Sequence, residues 1–364
     1  MSPLVTLYDQ LSETIGLFIA GSSQQEATAG GSLAAAMTGN IITEANSTDD
    51  ILKVYHNATH HRSEAKPIAA LVLGGLSLVA LGLNLTLLIY ILVNKLYHNF
   101  ISSHFISHLC ITNIFTIFIV IPMYAWTLWT GVNIWEESHY MCRIQTLLVC
   151  TVWTVMAAMH LCTAGVHLLT FARIHYEQLF GLAPKVICVL SWVISVLLAL
   201  PAVTNGHIVV YDPNMRSCVW GHSDSAIKFL AYVLILGVFF PVLFSSYAYV
   251  RVLGILYHSP IVFQSIGLYK SRWLVYAFLI TPFYQLPFYL VTTTGWWRVE
   301  RDGSNVPIIA MCVAFTNVLI SPVLYGASLF MMKEEDMTLT ARAHKAGTAG
   351  YHQHHNIAAQ AQLI

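Results

Sequence analysis

Seven stretches of this chain contain no Asp, Glu, Lys or Arg: Pro67–Asn94, Leu96–Trp135, Ile144–Ala172, Val186–Tyr211, Phe229–Val250, Trp273–Trp297 and Gly303–Met332. Each is long enough to cross the hydrocarbon of a bilayer, which takes about 20 mostly apolar helical residues. No water reaches the backbone there, so every N–H and C=O must be paired within the chain, and only helices and closed barrels achieve that. The 17 acidic and 17 basic residues fall almost entirely in the gaps. The pattern predicts an all-α membrane protein, a bundle of seven transmembrane helices. A soluble fold with seven core helices is excluded by the 9 % charged composition, against about 25 % in soluble domains.

The remaining residues divide into a segment over 1–66, the membrane domain over 67–331, and a tail over 332–364. None is expected to hold a catalytic domain, and the chain is not expected to be an enzyme. Asn46-Ser47-Thr48 and Asn57-Ala58-Thr59 are acceptor sequons for N-glycosylation, which places the N-terminus outside the cell and makes Asn46 and Asn57 the expected glycosylation sites. Asn84-Leu85-Thr86 also matches, but inside the first stretch, beyond reach of the glycosylating enzyme. Counting Lys and Arg gives nine of 17 on the inner side, too even a split for the positive-inside rule to orient the chain. Residues 21–50 are rich in Gly, Ala, Ser and Thr without periodicity, so the extracellular segment is expected to be largely disordered. No cleavable signal peptide is evident, since Asp9 and Glu13 interrupt the nearest apolar patch.

Pro122, Pro201, Pro241, Pro282, Pro287 and Pro322 lie within or at the ends of the stretches. Proline frees a carbonyl and bends a helix, as suits a bundle enclosing a cavity. From the end of the fourth stretch towards the fifth, His207–Tyr211 and Ser217–Trp220 flank the turn-prone Asp212-Pro213-Asn214, the pattern of a β-hairpin. No repeat of the kind that builds inverted-repeat transporters is present. The spans also lack the charges that mark ion pathways, so a transporter or channel is disfavoured.

Several residues then fall into one order. Gly82-Leu83-Asn84 lies in the first stretch, Trp135 and Cys142 precede the third, and Ser191-Trp192 and Pro201 lie in the fourth. Pro241 and Tyr249 lie in the fifth, and Asn317 with Ser321-Pro322-Val323-Leu324-Tyr325 ends the seventh. In this the chain resembles the rhodopsin-like (class A) G-protein-coupled receptors over residues 67 to 332. The resemblance implies a disulfide between Cys142 and Cys218, both in segments expected in an oxidising compartment. It implies a polar core of Asn84, Asn113, Asn317 and Ser321, and transducer-coupling residues His167, Tyr249, Tyr325 and Arg173. It also implies a plasma-membrane location and a short amphipathic helix over Phe330–Arg342.

The pattern departs from the family where the family's switch sits. Val166-His167-Leu168 stands for Asp-Arg-Tyr, Asn113 for the sodium-binding Asp, and Leu279-Ile280-Thr281-Pro282 for Cys-Trp-x-Pro. A histidine lacks the fork and constant charge of arginine. The ligand is expected in an outward-facing cavity beneath the hairpin, with Gln145, Val149, Trp153, Tyr284 and Tyr289 as wall residues. Val149 stands where amine receptors carry Asp, and Phe315 where opsins carry the retinal lysine, so neither an amine nor retinal is expected. The hairpin's aromatic and acidic neighbours (Tyr211, Asp212, Trp220, Asp224) favour a peptide, with a lipid still open.

His104 and His108 share a helix face at metal-binding spacing, but no stretch offers a carboxylate to complete a site. No metal and no cofactor are expected. Interfacial histidines are the better reading of the pair. The expected function is a G-protein-coupled receptor that binds an extracellular ligand and signals by conformational change to a heterotrimeric G protein. The alternative is a receptor-shaped binding or structural membrane protein without coupling. The bilayer is the expected surrounding; no nucleic-acid partner is expected.

Overall fold

The computed structural model describes residues 65–131, 139–172, 174, 176, 181–212, 217–221, 223–258, 272–294 and 305–361. Seven helices in it are long and apolar enough to cross a membrane: Pro67–Val93, Ser102–Thr130, Tyr140–Ala172, Pro184–Thr204, Asp224–His258, Trp273–Thr292 and Val306–Lys333. The protein is an all-α, multi-pass membrane protein of seven spans. Asn46, Asn57, Trp135 and Arg173 lie outside the described residues.

Freedom from charge locates the spans but not their ends. The second stretch begins with a separate turn, Leu96–Asn99, entered through Lys95 in the left-handed region (φ 50°), and the span proper starts at Ser102. It stops at Thr130, because Gly131 takes φ 65°, the left-handed conformation that commonly ends a helix and that glycine adopts without penalty. The fourth span ends at Thr204, short of Tyr211, because Val209–Asp212 is a strand (β1) paired antiparallel with Ser217–Trp220 (β2). The fifth is longer than its apolar stretch. Ser223 caps it by accepting from the Ala226 N–H at 3.1 Å, and Asp224 supplies a first-turn acid. The seventh runs on without a break as one helix, Val306–Ala361, so the tail expected to carry its own short helix continues the span.

Three of the prolines, Pro122, Pro241 and Pro282, mark where the helices depart from α geometry. A π segment, Thr116–Val120, ends just before Pro122, and another, Val233–Phe239, just before Pro241. In the sixth span a 3₁₀ segment, Thr281–Gln285, contains Pro282. A proline cannot donate to the turn behind it, and a local change of helical repeat absorbs the freed carbonyl.

The third span is the axis of the bundle. It packs against the second, fourth and fifth spans and against both strands. Of an 18-residue apolar stretch of it 72 % is buried, against 28 % for the first span, which packs chiefly against the second and seventh. The outer faces carry Ile68, Leu78, Val93, Phe239 and Phe330, all exposed. That much bare apolar surface has its solvent in lipid. Among the described residues the one ion pair is Lys228–Asp224, one turn apart on the surface.

Serine and threonine hydroxyls within the spans mostly donate to the carbonyl four residues back: Ser77 to Leu73, Thr116 to Thr112, Thr163 to Met159, Thr281 to Ala277. This satisfies them inside their own helix. Polar side chains that bond to another span are therefore a small set, and they mark the interior positions where helices are coupled.

Candidate functional site

At one end of the bundle the hairpin lies over the mouth. Cys218 of β2 is bonded to Cys142 at the start of the third span, with Cα atoms 5.4 Å apart. Cys218 pairs with Tyr211 and Trp220 with Val209, so the strand places Trp220 one pleat beyond the disulfide, on its own face of the ribbon. Trp220 lies flat on Tyr289 (centroids 5.6 Å, planes 9° apart) and edge-on to Phe288. Trp153 meets the same pair from the third span at 4.9 and 5.6 Å, and Phe315 at 5.9 Å. Gln145, Val149 and Trp153 recur every four residues on one buried face.

Four of the five residues expected to wall the ligand cavity, Gln145, Val149, Trp153 and Tyr289, are buried beneath the hairpin. Tyr284 is half-buried on the 3₁₀ segment, with no part in the ring contacts described. Trp153, Trp220, Phe288, Tyr289 and Phe315 occupy this region as a packed aromatic cluster. Phe288 escapes a reading of the sequence because nothing separates it from an ordinary membrane phenylalanine. Within this apolar region Gln145 is 1 % exposed, and neither its Oε1 nor its Nε2 has a hydrogen-bond partner among the described residues. The Trp220 indole Nε1 is in the same position.

Below this cluster lies the polar core. The Asn113 amide donates to Asn84 Oδ1 at 2.9 Å and reaches Ser321 Oγ at 3.0 Å. The Asn84 amide donates to the Val318 carbonyl at 3.0 Å. These bonds join the first, second and seventh spans. Asn317, expected in the same network, turns instead to the third span, its Nδ2 3.2 Å from His160 Nε2. On the other side of that ring, His160 Nδ1 lies 2.5 Å from the Tyr325 hydroxyl.

At the end away from the hairpin a cavity of about 50 Å³ opens between the third, fifth, sixth and seventh spans. His167, Tyr249, Val275, Phe278, Ser328 and Met331 are among its lining residues. His167 Nδ1 lies 3.5 Å from the Tyr249 hydroxyl, and its buried Nε2 has no partner among the described residues. Of the four residues expected to couple to a transducer, His167 and Tyr249 line this cavity, and Tyr325 sits one layer deeper. His160 was not among the expected residues. Its signal in the sequence is an ionisable side chain in the middle of a charge-free span, two turns before His167 on the same face.

No known family model matches this chain, so its identity rests on the fold itself: a multi-pass membrane protein of seven helices, with one disulfide, Cys142–Cys218, tying a hairpin to the third span.

Proposed function

We propose that the chain is a plasma-membrane receptor of rhodopsin-like type, with its N-terminus and hairpin outside and the cavity lined by His167 facing the cytoplasm. It is a binding and signalling protein, not an enzyme. The observation that carries this reading is the course of the third span. One continuous helix bears the disulfide to the hairpin, then Gln145 and Trp153 beneath it, then His160 in the core and His167 at the opposite cavity. A ligand that displaces the aromatic cluster acts on the helix that lines the far cavity. It shifts the equilibrium only by its differential affinity for the two arrangements.

In this reading the ligand is extracellular, with a peptide favoured by the aromatic hairpin, and the partner at the far end is a heterotrimeric G protein. A second reading, a receptor-shaped binding protein that has given up coupling, is favoured by one observation: the third span presents His167 to the cavity in place of an arginine. G-protein dissociation in cells expressing the chain, with His167→Ala and His167→Arg alongside, separates them. Basal activity lost in His167→Ala supports coupling through the histidine. Silence in the parent at verified surface expression, with activity appearing in His167→Arg, supports the second reading.

A further inference from the structure

Three aromatic rings from three spans form a layer between the polar core and the far-end cavity. Phe278 of the sixth span stacks on Tyr325 of the seventh (4.8 Å, 21°) and on Tyr249 of the fifth (5.4 Å, 19°). The third span grips both ends of this layer. His167 meets Tyr249 at one end, and His160 meets Tyr325 at the other. Along the seventh span the layer falls between Ser321, in the polar core, and Ser328 and Met331, in the cavity lining.

The two grips are unequal. His167 approaches Tyr249 only to 3.5 Å, at the edge of hydrogen-bond range, whereas His160 sits 2.5 Å from the Tyr325 hydroxyl. The His160 ring is also held from behind, by the Asn317 amide 3.2 Å from Nε2. One neutral tautomer satisfies both contacts, with Nδ1–H donating to the tyrosine oxygen and Nε2 accepting from the amide. A neutral ring suits the site, because the third, sixth and seventh spans carry no Asp, Glu, Lys or Arg over Ile144–Ala172, Trp273–Thr292 and Val306–Met332 to balance a charge. The Tyr325 hydroxyl also faces that of Tyr249 within the layer, but His160 is the partner that ties it to the third span. Tyr325 is 1 % exposed and presses Phe278 with one face, and a phenol buried without a partner loses the stability that its burial brings.

We propose that His160 is a positioning residue. Through the Tyr325 hydroxyl it holds the three-ring layer shut, and the layer seals the far-end cavity from the polar core of Asn84, Asn113, Asn317 and Ser321. When that bond breaks, the Tyr325 ring leaves the stack and the cavity becomes continuous with the polar core, where Asn113 Oδ1 and Asn317 Oδ1 are buried acceptors with no partner among the described residues. The cavity that a cytoplasmic partner would enter is thus set from two turns deeper along the third span by a residue that does not line it. The device needs no arginine and no ion pair.

The test uses the full chain in lipid nanodiscs with Ser321→Cys as a reporter. It measures the rate at which a small charged thiol reagent modifies residue 321, read by peptide mass spectrometry. The parent is expected to react slowly. Tyr325→Phe keeps the ring and removes only the hydroxyl, and His160→Leu removes the anchor. Each is expected to raise the rate by about tenfold, the scale of one lost buried hydrogen bond. Their combination is expected to react no faster than Tyr325→Phe alone, because without the hydroxyl His160 has no bond to Tyr325 left to lose. His160→Gln, which restores a hydrogen-bonding group, is expected to return the rate towards the parent's. Unchanged rates in Tyr325→Phe overturn the proposal even if His160→Leu fails to fold. So does a rise in His160→Leu without one in Tyr325→Phe, or without rescue by glutamine, since either assigns the effect to packing alone. A parent that already reacts as fast as the variants overturns it as well.

Discussion

Lys333 and Asn94 meet across the end of the bundle opposite the hairpin, the lysine Nζ donating to the asparagine Oδ1 at 2.6 Å while lying 5.5 Å from the centre of the Tyr90 ring. At the hairpin end the roles of the spans reverse. Lys66, preceding the first span, donates from its side chain to Asn305, preceding the seventh, and from its backbone N–H to the Leu128 carbonyl. The first span, the least buried of the seven, is thus clasped to its neighbour by a lysine–asparagine pair at each end.

These clasps give a first prediction. Lys333→Ala removes a partly buried charged hydrogen bond and a cation–π contact, and is expected to cost about 1 kcal/mol. Asn94→Ala should cost about the same, and the pair together much less than the two added. Thermal unfolding of the purified protein, run as a double-mutant cycle, reads the coupling. Additive losses would mean that the two side chains act separately.

Cys218→Ala unties the hairpin from the third span. A disulfide closing a long loop contributes typically about 2–4 kcal/mol. The variant is expected to lose thermal stability on that scale and to become sensitive to protease within the hairpin. Surface expression should fall with it. Unchanged stability and trafficking would remove the disulfide from any account of how the hairpin is held.

Gln145→Leu is expected to act in two opposite directions. The amide is buried without a partner among the described residues, and replacing it by an apolar side chain of similar size removes a desolvation penalty of about 1–3 kcal/mol. The variant should therefore melt higher than the parent. If the region beneath the hairpin takes the ligand, the same substitution should abolish the response to it, the trade commonly seen where a strained group serves function. A lower melting temperature would show that the amide is satisfied in the membrane.

Gly237→Ala probes the closest approach of the fifth span to the third. A Cβ there would meet Thr154 Oγ1 at 2.9 Å, inside the π segment that precedes Pro241. Overpacking of this kind costs about 1–3 kcal/mol. Thr154→Ala in the same chain removes the obstructing atoms and should recover most of the loss, as measured by thermal unfolding. No recovery would place the cost in the helix backbone instead.

The spans were legible because exclusion of Asp, Glu, Lys and Arg from hydrocarbon acts on every residue of a crossing. Their ends were not, because Lys95, Gly131 and the strand at Val209 end or offset helices by backbone conformation within charge-free sequence. The hairpin was read from its alternation and turn residues, and β1 and β2 fall within the expected runs. Asn84, Asn113 and Ser321 were grouped through a resemblance and are found bonded together, while Asn317 turns to His160. The aromatic cluster beneath the hairpin was not foreseeable, because the stacking of Trp220 on Tyr289 joins residues that no local pattern connects. His160 escapes a reading of the sequence for a related reason: its partners, Tyr325 and Asn317, lie on the last span, far along the sequence.

The contacts that join the spans in the bundle interior are made between neutral groups: amides, hydroxyls, imidazoles and aromatic rings. Electrical work on a moving helix scales with the charge it carries through the field, about 2.3 kcal/mol per elementary charge per 100 mV. None of the side chains in these contacts is an Asp, Glu, Lys or Arg. A rearrangement confined to these interior contacts therefore needs little electrical work, whatever potential stands across the bilayer.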